Sequence, residues 1–497
     1  MLFVCRAFAA LGLLCAVSAV SVQAEEPPEI LWDKTFGGAY GDRFYSLQQT
    51  SDGGFILCGK ISAGFFQGSC LFVRTDGDGN EIWNTVLDAG DRKTGTTVQQ
   101  TSDGGFIVGG NNGLGGNGLW LTRTDSDGNQ LWSKVFGETG YGSSVQQMPD
   151  GGFILAGYTN SRGAGENDCW LIRTDGDGNE LWNKTFGGTG NDFCHSVQLT
   201  TDGGLILAGG HDTYSTEEGD LWLIRTDGDG NELWSNTFGG TRRDYANSVQ
   251  QTSDGGFILL GETLSYGAGD NDFFLVRTDG DGNELWSKAF GGTSYEYPTS
   301  VQQTLDGGFS LLGHTNSFGA GGGDFWLIKT DSEGNESWNK TFGGSGNEWT
   351  YPGCLQQTSD GGVAMAGSTT SYGAGGEDAW LVRTAGDAPP PCDLEVGLSG
   401  YPEEILRGDY LSFDAMAANP CDAPLTFDRA LMNITGPASL EKTLYDGEPF
   451  PVAESVATNL SLAVPPGAPL GTYTVQVTIF RGGEAIHSDA FEVDVSG

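Results

Sequence analysis

Short apolar runs alternate with Gly- and Asp-rich turns from residue 30 to residue 384, in a unit of about fifty residues. Residues 196–238 show one unit: SVQLT, a turn at TDGG, LILAG, a longer loop, LWLIRT, a turn at DGDGN, and ELWSNTF. Runs this short, parted by Gly and Asp and lacking helical periodicity, predict β-strands. The second and third runs are continuously apolar, which predicts sheets covered on both faces. Asp-Gly-Gly recurs with its Asp at 52, 103, 150, 202, 254, 306 and 360, and a strand Trp recurs at 32, 83, 132, 182, 234, 286 and 338. Seven units of four strands predict an all-β fold, a seven-bladed β-propeller over residues 29–387, because radially stacked blades bury both faces of each sheet.

The ends of the array sharpen this expectation. The seventh unit stops at AWLVRTAGDAPPP without a GNELWNKTFGG segment, and the missing strand stands at the N-terminus as EILWDKTFGG, residues 29–38. A closed ring would use that strand to complete its last blade; an open solenoid has no reason to split a repeat. Residues 388–391 form a stiff Pro-rich linker. Residues 392–497 alternate apolar and polar positions in runs such as YTVQVTIF and FEVDVSG, which predicts a small immunoglobulin- or fibronectin-like β-sandwich. At the other end, Arg6, an apolar run and Val22-Gln23-Ala24 predict a secretory signal peptide over 1–24, cut near Ala24. The expected product is secreted, extracellular or held in the cell envelope, with no transmembrane segment.

Composition bounds the partners. A net charge of −41 argues against nucleic acid, whose phosphates need a basic surface. Aromatic residues make up 11% of the chain, so the acidity does not signal disorder. Seven cysteines remain after Ala24, and export permits disulfides. Cys392 with Cys421 is the expected bridge in the C-terminal segment, Cys58 with Cys70 a candidate within one blade, and Cys169 with Cys194 a third candidate.

The repeat resembles the tandem propeller repeat of secreted and surface-layer proteins of bacteria and archaea. The resemblance rests on Trp182 to Gly188 (WNKTFGG), Asp150 to Gly157 (DGGFILAG) and Trp170 to Asp175 (WLIRTD). It implies the architecture and carries no shared activity. Asp175, Gly178 and Trp182 are also similar to the tryptophan-docking repeat of quinoprotein dehydrogenases and their non-catalytic relatives, in which the Trp packs between blades. Catalytic members usually have eight blades and a vicinal cysteine pair; seven units and no adjacent cysteines count against that branch.

Chain direction assigns loops to faces. The first-to-second and third-to-fourth turns share one face, here the bottom, and gather nineteen acids there. Asp76 and Asp78, Asp175 and Asp177, Asp227 and Asp229, and Asp279 and Asp281 alternate as in the first half of a calcium loop. The loop lacks the bidentate Glu at its twelfth position, and Gly, Asn and Asp are what a tight turn needs. A structural turn is therefore the leading expectation, with calcium the one candidate cofactor. The recurrent Arg74, Arg123, Arg173, Arg225, Arg277, Lys329 and Arg383 are expected to pair with turn carboxylates.

The top face carries the variable loops. Aromatic rings beside Asp, Asn and Gly equip such loops for sugars, since rings stack on pyranose faces and carboxylates accept hydroxyl protons. Asp42, Tyr45, Asp192, Phe193, Asp244, Tyr245, Tyr297, Trp349 and Tyr351 are the candidate ligand-binding residues. His195, beside Cys194 and Asp192, is the one cluster worth testing as catalytic. The reading that follows is a non-enzymatic binding scaffold recognising a glycan or a protein through its top loops. The alternative is a polysaccharide-acting hydrolase or lyase, or a quinoprotein-like oxidoreductase.

Overall fold

Each repeat folds as expected. The computed structural model describes residues 27–62, 68–88, 92–113, 116–212 and 219–386, and beyond them the backbone of the strands lying between Glu395 and Ser496. Among the described residues there is no helix, hence none long and apolar enough to cross a membrane. Blade 3 is typical: Tyr141–Gln147, Phe153–Thr159, Asp168–Thr174 and Glu180–Phe186 pair antiparallel in sequence order. Seven four-stranded sheets of this kind make the propeller, with the first strand of each blade against the central channel.

The ring closes through the split blade. Ile30–Phe36 pairs antiparallel with Asp378–Thr384 and forms the outer edge of blade 7. Trp32 stands opposite Arg383 just as Trp182 stands opposite Arg173, so the N-terminal strand takes the register of an ordinary fourth strand. The second and third strands carry the buried layers between blades. Ile154, Ala156 and Leu171 of blade 3, for example, pack in one cluster with Val197, Leu205, Leu207 and Trp222 of blade 4.

The strand Trp docks on the next blade. A methyl group at Gly178 would lie 2.7 Å from Cζ3 of Trp132, so the turn of blade 3 carries glycine where the indole of blade 2 covers it. The same relation joins Gly79 to Trp32, Gly128 to Trp83, Gly230 to Trp182, Gly282 to Trp234 and Gly334 to Trp286. Trp32 thereby links blade 7 to blade 1 with the contact used elsewhere. The altered turn of blade 7 breaks the series: a methyl at Gly386 would meet Asp360 O at 2.3 Å instead.

Polar rings reinforce the inner edge. In blades 1 to 6 the first Gln near the end of the inner strand accepts a hydrogen bond from a backbone N–H of the next blade, as Gln99 does from Gln147 (2.6 Å) and Gln146 from Leu199 (2.7 Å). Several second glutamines reach the other way, as Gln147 does when it accepts from Ser102 N at 2.8 Å. All seven strand-three cations pair with an Asp-Gly-Gly carboxylate of their own blade. Arg173 reaches both oxygens of Asp150 at 2.5 Å. Asp202 is held down to about 2, first by the Thr200 hydroxyl, against the opposing effect of burial, with Gly204 N and Arg225 adding to it.

One of the two described cysteine pairings is present. Cys169 and Cys194 form a disulfide with a Cα separation of 5.0 Å, tying blade 3 to blade 4. Cys58 and Cys70 are instead buried free thiols. The register sets Cys58 opposite Phe72 and Cys70 opposite Lys60. The two cysteines are therefore diagonal neighbours, whose Cα atoms stand about 7–8 Å apart in an antiparallel pair, too far for a disulfide. Cys392 and Cys421 lie outside the described residues, as does the linker between the strands of blade 7 and Glu395.

Beyond that linker the strands form two sheets. Glu395–Ser399, Tyr410–Ala418 and Ser455–Ala463 make one. Glu404–Leu406, Glu484–Ser496, Gly471–Arg481, Leu425–Thr435 and Leu440–Val452 make the other.

The indole contact separates two glycines of one blade. Gly178 and Gly151 both have positive φ, +75° and +86°, but nothing lies within 4 Å of a methyl at Gly151. Gly151→Ala should cost about 1–2 kcal/mol of backbone strain. Gly178→Ala should cost at least about 1 kcal/mol more, because it overpacks Trp132. Equal losses in urea unfolding would contradict the docking role.

Candidate functional site

The first strand of blades 1 to 6 carries a one-residue bulge near its top end. In blade 4 it falls between Cys194 and Ser196, so His195 has no partner across the pair. The equivalent residues are Tyr45, Thr96, Ser143, Asn247 and Thr299. Blade 7 has a larger irregularity, between Thr350 and Leu355, which frees Tyr351 and Pro352. Bulges re-aim side chains, and here they aim them at the axis. Tyr45, Thr96, Ser143, His195, Asn247 and Tyr351 all line a cavity of about 550 Å³ at the top mouth of the channel. That volume is within the range of small-molecule sites.

A second set of positions completes the mouth. The residue after the strand-two glycine pairs with the first residue of the inner strand: Lys60 with Arg43, Asn111 with Thr94, and Tyr158 with Tyr141. Lys60, Asn111, Tyr141 and Tyr158 line the same cavity. Below it the channel narrows to Ser and Thr, and then to the glutamine ring.

The aromatic rings form two groups. Tyr141 stacks on Tyr158 (5.1 Å between centroids), which meets Phe193 edge-on (4.7 Å). Phe193 lies parallel to His195 at 6.1 Å, and His195 meets Tyr245 at 5.9 Å. On the opposite side Tyr45 and Tyr351 meet edge-on at 4.5 Å. His195 Nδ1 is 2.9 Å from Ala246 O, a pure acceptor, so Nδ1 carries the proton and Nε2 is the free acceptor. Burial lowers the pKa of this ring and keeps it neutral.

The structure sorts the sequence-derived candidates. Tyr45, Tyr245 and Tyr351 line the mouth, and Phe193 packs within the aromatic arc. Tyr297 lies outside this lining, stacked between Tyr295 and His314. Trp349 is half-buried on a strand opposite Ser368 and does not reach the cavity lining. Asp42, Asp192 and Asp244 are 1%, 0% and 0% exposed, so they brace loops rather than face solvent. Asp42 accepts from Gly38 N and Ser62 N, and Asp244 from Gly240 N and the Ser265 hydroxyl. Asp192 accepts from Gly188 N, Asp212 N and His211 Nδ1. With Cys194 oxidised and Asp192 engaged elsewhere, His195 has neither nucleophile nor orienting partner in that cluster.

The bottom turns use their acids internally. Asp175 accepts from Asp177 N (3.0 Å), Asn179 N (2.8 Å) and the Asn179 amide (3.0 Å). Asp76, Asp227 and Asp279 repeat the pattern, taking the backbone N–H of Asp78, Asp229 and Asp281 respectively. Among the described residues no three His, Cys, Asp or Glu side chains converge on a common metal position.

Buried acids also meet at blade interfaces beneath the top loops. A methyl at Gly343 would lie 1.9 Å from Asp324 Oδ1 and 2.3 Å from Glu348 Oε2; Gly291 stands likewise between Asp272 and Glu296. Two carboxylates this close do not ionise together. Burial first, and then Glu296, raise the pKa of Asp272 to about 6. Burial raises Glu262 to about 7, although Tyr245 and Asn271 donate to it.

No protein-family model matches the chain, and no curated protein matches it. Solved structures are similar at low identity. A protein of unknown function from Bacteroides caccae is 14% identical, with 61% of this chain and 94% of that one covered, at a TM-score of 0.38. A puromycin hydrolase is 13% identical, with 76% of this chain and 58% of that one covered, at 0.46. The Pan2 WD40 domain of Neurospora crassa is 11% identical, with 70% and 89% covered, at 0.43. The chain spans little more than half the length of the hydrolase, and three likenesses below a TM-score of 0.5 carry no statement about what it binds.

The raised carboxyl groups set a direction for pH. A carboxyl whose pKa is higher in the folded state binds its proton more tightly there, so its stabilisation is complete below the ordinary carboxylate range. That stabilisation is lost as pH rises through about 7 for Glu262 and about 6 for Asp272. Melting temperature should therefore fall between pH 5 and pH 8. Glu262→Gln should flatten part of that fall and melt above the parent at pH 8, with a stability gain of up to about 3 kcal/mol. A parent protein whose melting temperature is level or rising over this interval would contradict the assignment.

Proposed function

We propose that this protein is an extracellular binding scaffold that takes a saccharide in the top-face funnel. The observation that carries the reading is the funnel itself: bulges turn polar and aromatic side chains inward, and five tyrosines line one cavity of about 550 Å³. Tyrosine offers a flat apolar face for a sugar ring and a hydroxyl for its edge. Asn111, Asn247, Thr94 and Thr96 add neutral donors and acceptors for sugar hydroxyls. The glutamine rings below hold the blades at fixed spacing, so the site is largely formed before a ligand arrives.

Hydrolysis of a glycosidic bond needs two carboxylates flanking that bond. The top-face acids discussed above are instead spent on loop backbones or on each other, which favours binding over cleavage. In the same proposal residues 1–24 direct export, and the repeat is of the surface-layer type. Residues 392–497 form an immunoglobulin-like module that holds the propeller at a surface.

A glycan array probed with the purified chain tests the saccharide reading. Binding should appear and should weaken about tenfold or more in Tyr158→Ala, since losing a stacking ring costs more than about 1 kcal/mol. A Tyr158→Ala protein that melts like the parent and binds the same glycans equally well would place the site elsewhere.

A further inference from the structure

The charge of the funnel is opposite to that of the chain around it. The protein carries a net charge of −41, yet among the described residues the cavity lining holds no Asp or Glu and one lysine, Lys60. Lys60 has no hydrogen bond or ion pair among the described residues, whereas two cations near it are engaged. Arg43 pairs with Glu377 at 2.8 Å, and Lys93 pairs with Asp88 at 2.8 Å. The position is also built. A methyl at Gly68 would lie 2.2 Å from Lys60 Cε, so the lysine stem runs over a glycine of the neighbouring strand that leaves room for it. The one acid at an equivalent position, Glu262, is 6% exposed and holds the Asn271 amide at 2.6 Å, with Tyr245 donating to it from the mouth.

We infer that the funnel selects an acidic saccharide, a uronic-acid oligosaccharide whose carboxylate meets the Lys60 ammonium while its rings lie against the tyrosines. This rests on the saccharide reading above and narrows it. A single ammonium matches the single charge of a carboxylate. The bond is charge-assisted. Beyond about 8–10 Å the acidic exterior is screened at physiological salt, so the local lysine governs selection inside the funnel.

Calorimetry on the full secreted chain tests this with two probes, a galacturonic acid trimer and a galactose trimer, which differ in their carboxylates. The acidic trimer should bind about tenfold tighter or better, the value of one hydrogen bond to a charged group. Lys60→Met keeps the stem and removes the charge. It should abolish that difference, bringing the two trimers to the same affinity, while the melting temperature stays that of the parent. Tyr158→Ala should weaken both trimers together. Equal affinity for the two trimers, or a preference that survives Lys60→Met, overturns the acidic selection and leaves the saccharide site standing. Binding of neither trimer, nor of any acidic or neutral glycan on an array, overturns both.

Discussion

The contact on which the ring depends is the indole of one blade lying over a turn glycine of the next. It fixes spacing and tilt together, because a flat ring against a bare α-carbon tolerates little sliding. The contact needs positive φ at the glycine, and Asp175 secures that turn by binding three of its donors. The acid that looks like a calcium ligand is thus what holds the glycine in place. Beside it, the Asp150–Arg173 pair ties the other bottom turn to the end of strand three. Repeated around the ring, these parts build a rigid bottom face.

Rigidity below permits variation above. The glutamine rings join backbone to side chain across blades, so they do not depend on what the top loops contain. The bulge sits immediately above them. A residue there is freed from pairing but anchored on both sides, and substituting it changes the mouth without disturbing the ladder. His195, Asn247 and Tyr45 occupy this position in three blades with three unrelated chemistries.

The architecture was legible because it is written seven times. Strand number, the completion of blade 7 by residues 29–38, the packing role of the tryptophans and the pairing of Arg173 and its equivalents all follow from periodicity and alternation. The mouth was harder to read. Asp42, Asp192 and Asp244 drew attention as variable-loop acids, but their neighbouring Gly-Gly segments present backbone N–H groups that they cap. Lys60 and Tyr158 were missed because they follow a strand glycine and look like strand ends. The usable signal was positional: the residue before Ser/Thr-Val/Leu-Gln and the residue after the strand-two glycine change from repeat to repeat. Register, which decides that Cys58 and Cys70 are diagonal, is invisible until the strands are paired.

Completing blade 7 with the N-terminal strand also orders events during synthesis. Trp380 Nε1 donates to Asp33 Oδ2 at 3.0 Å across 347 residues of chain. The strand made first therefore has no partner until nearly the whole propeller has been made. Until then Ile30–Phe36 is a bare edge, with Leu31 58% exposed even after pairing. Such an edge is a template for pairing with other chains, and its long-range closure is slow. Asp33 and Lys34, charged residues in the middle of that strand, are suited to keeping it solvated while it waits.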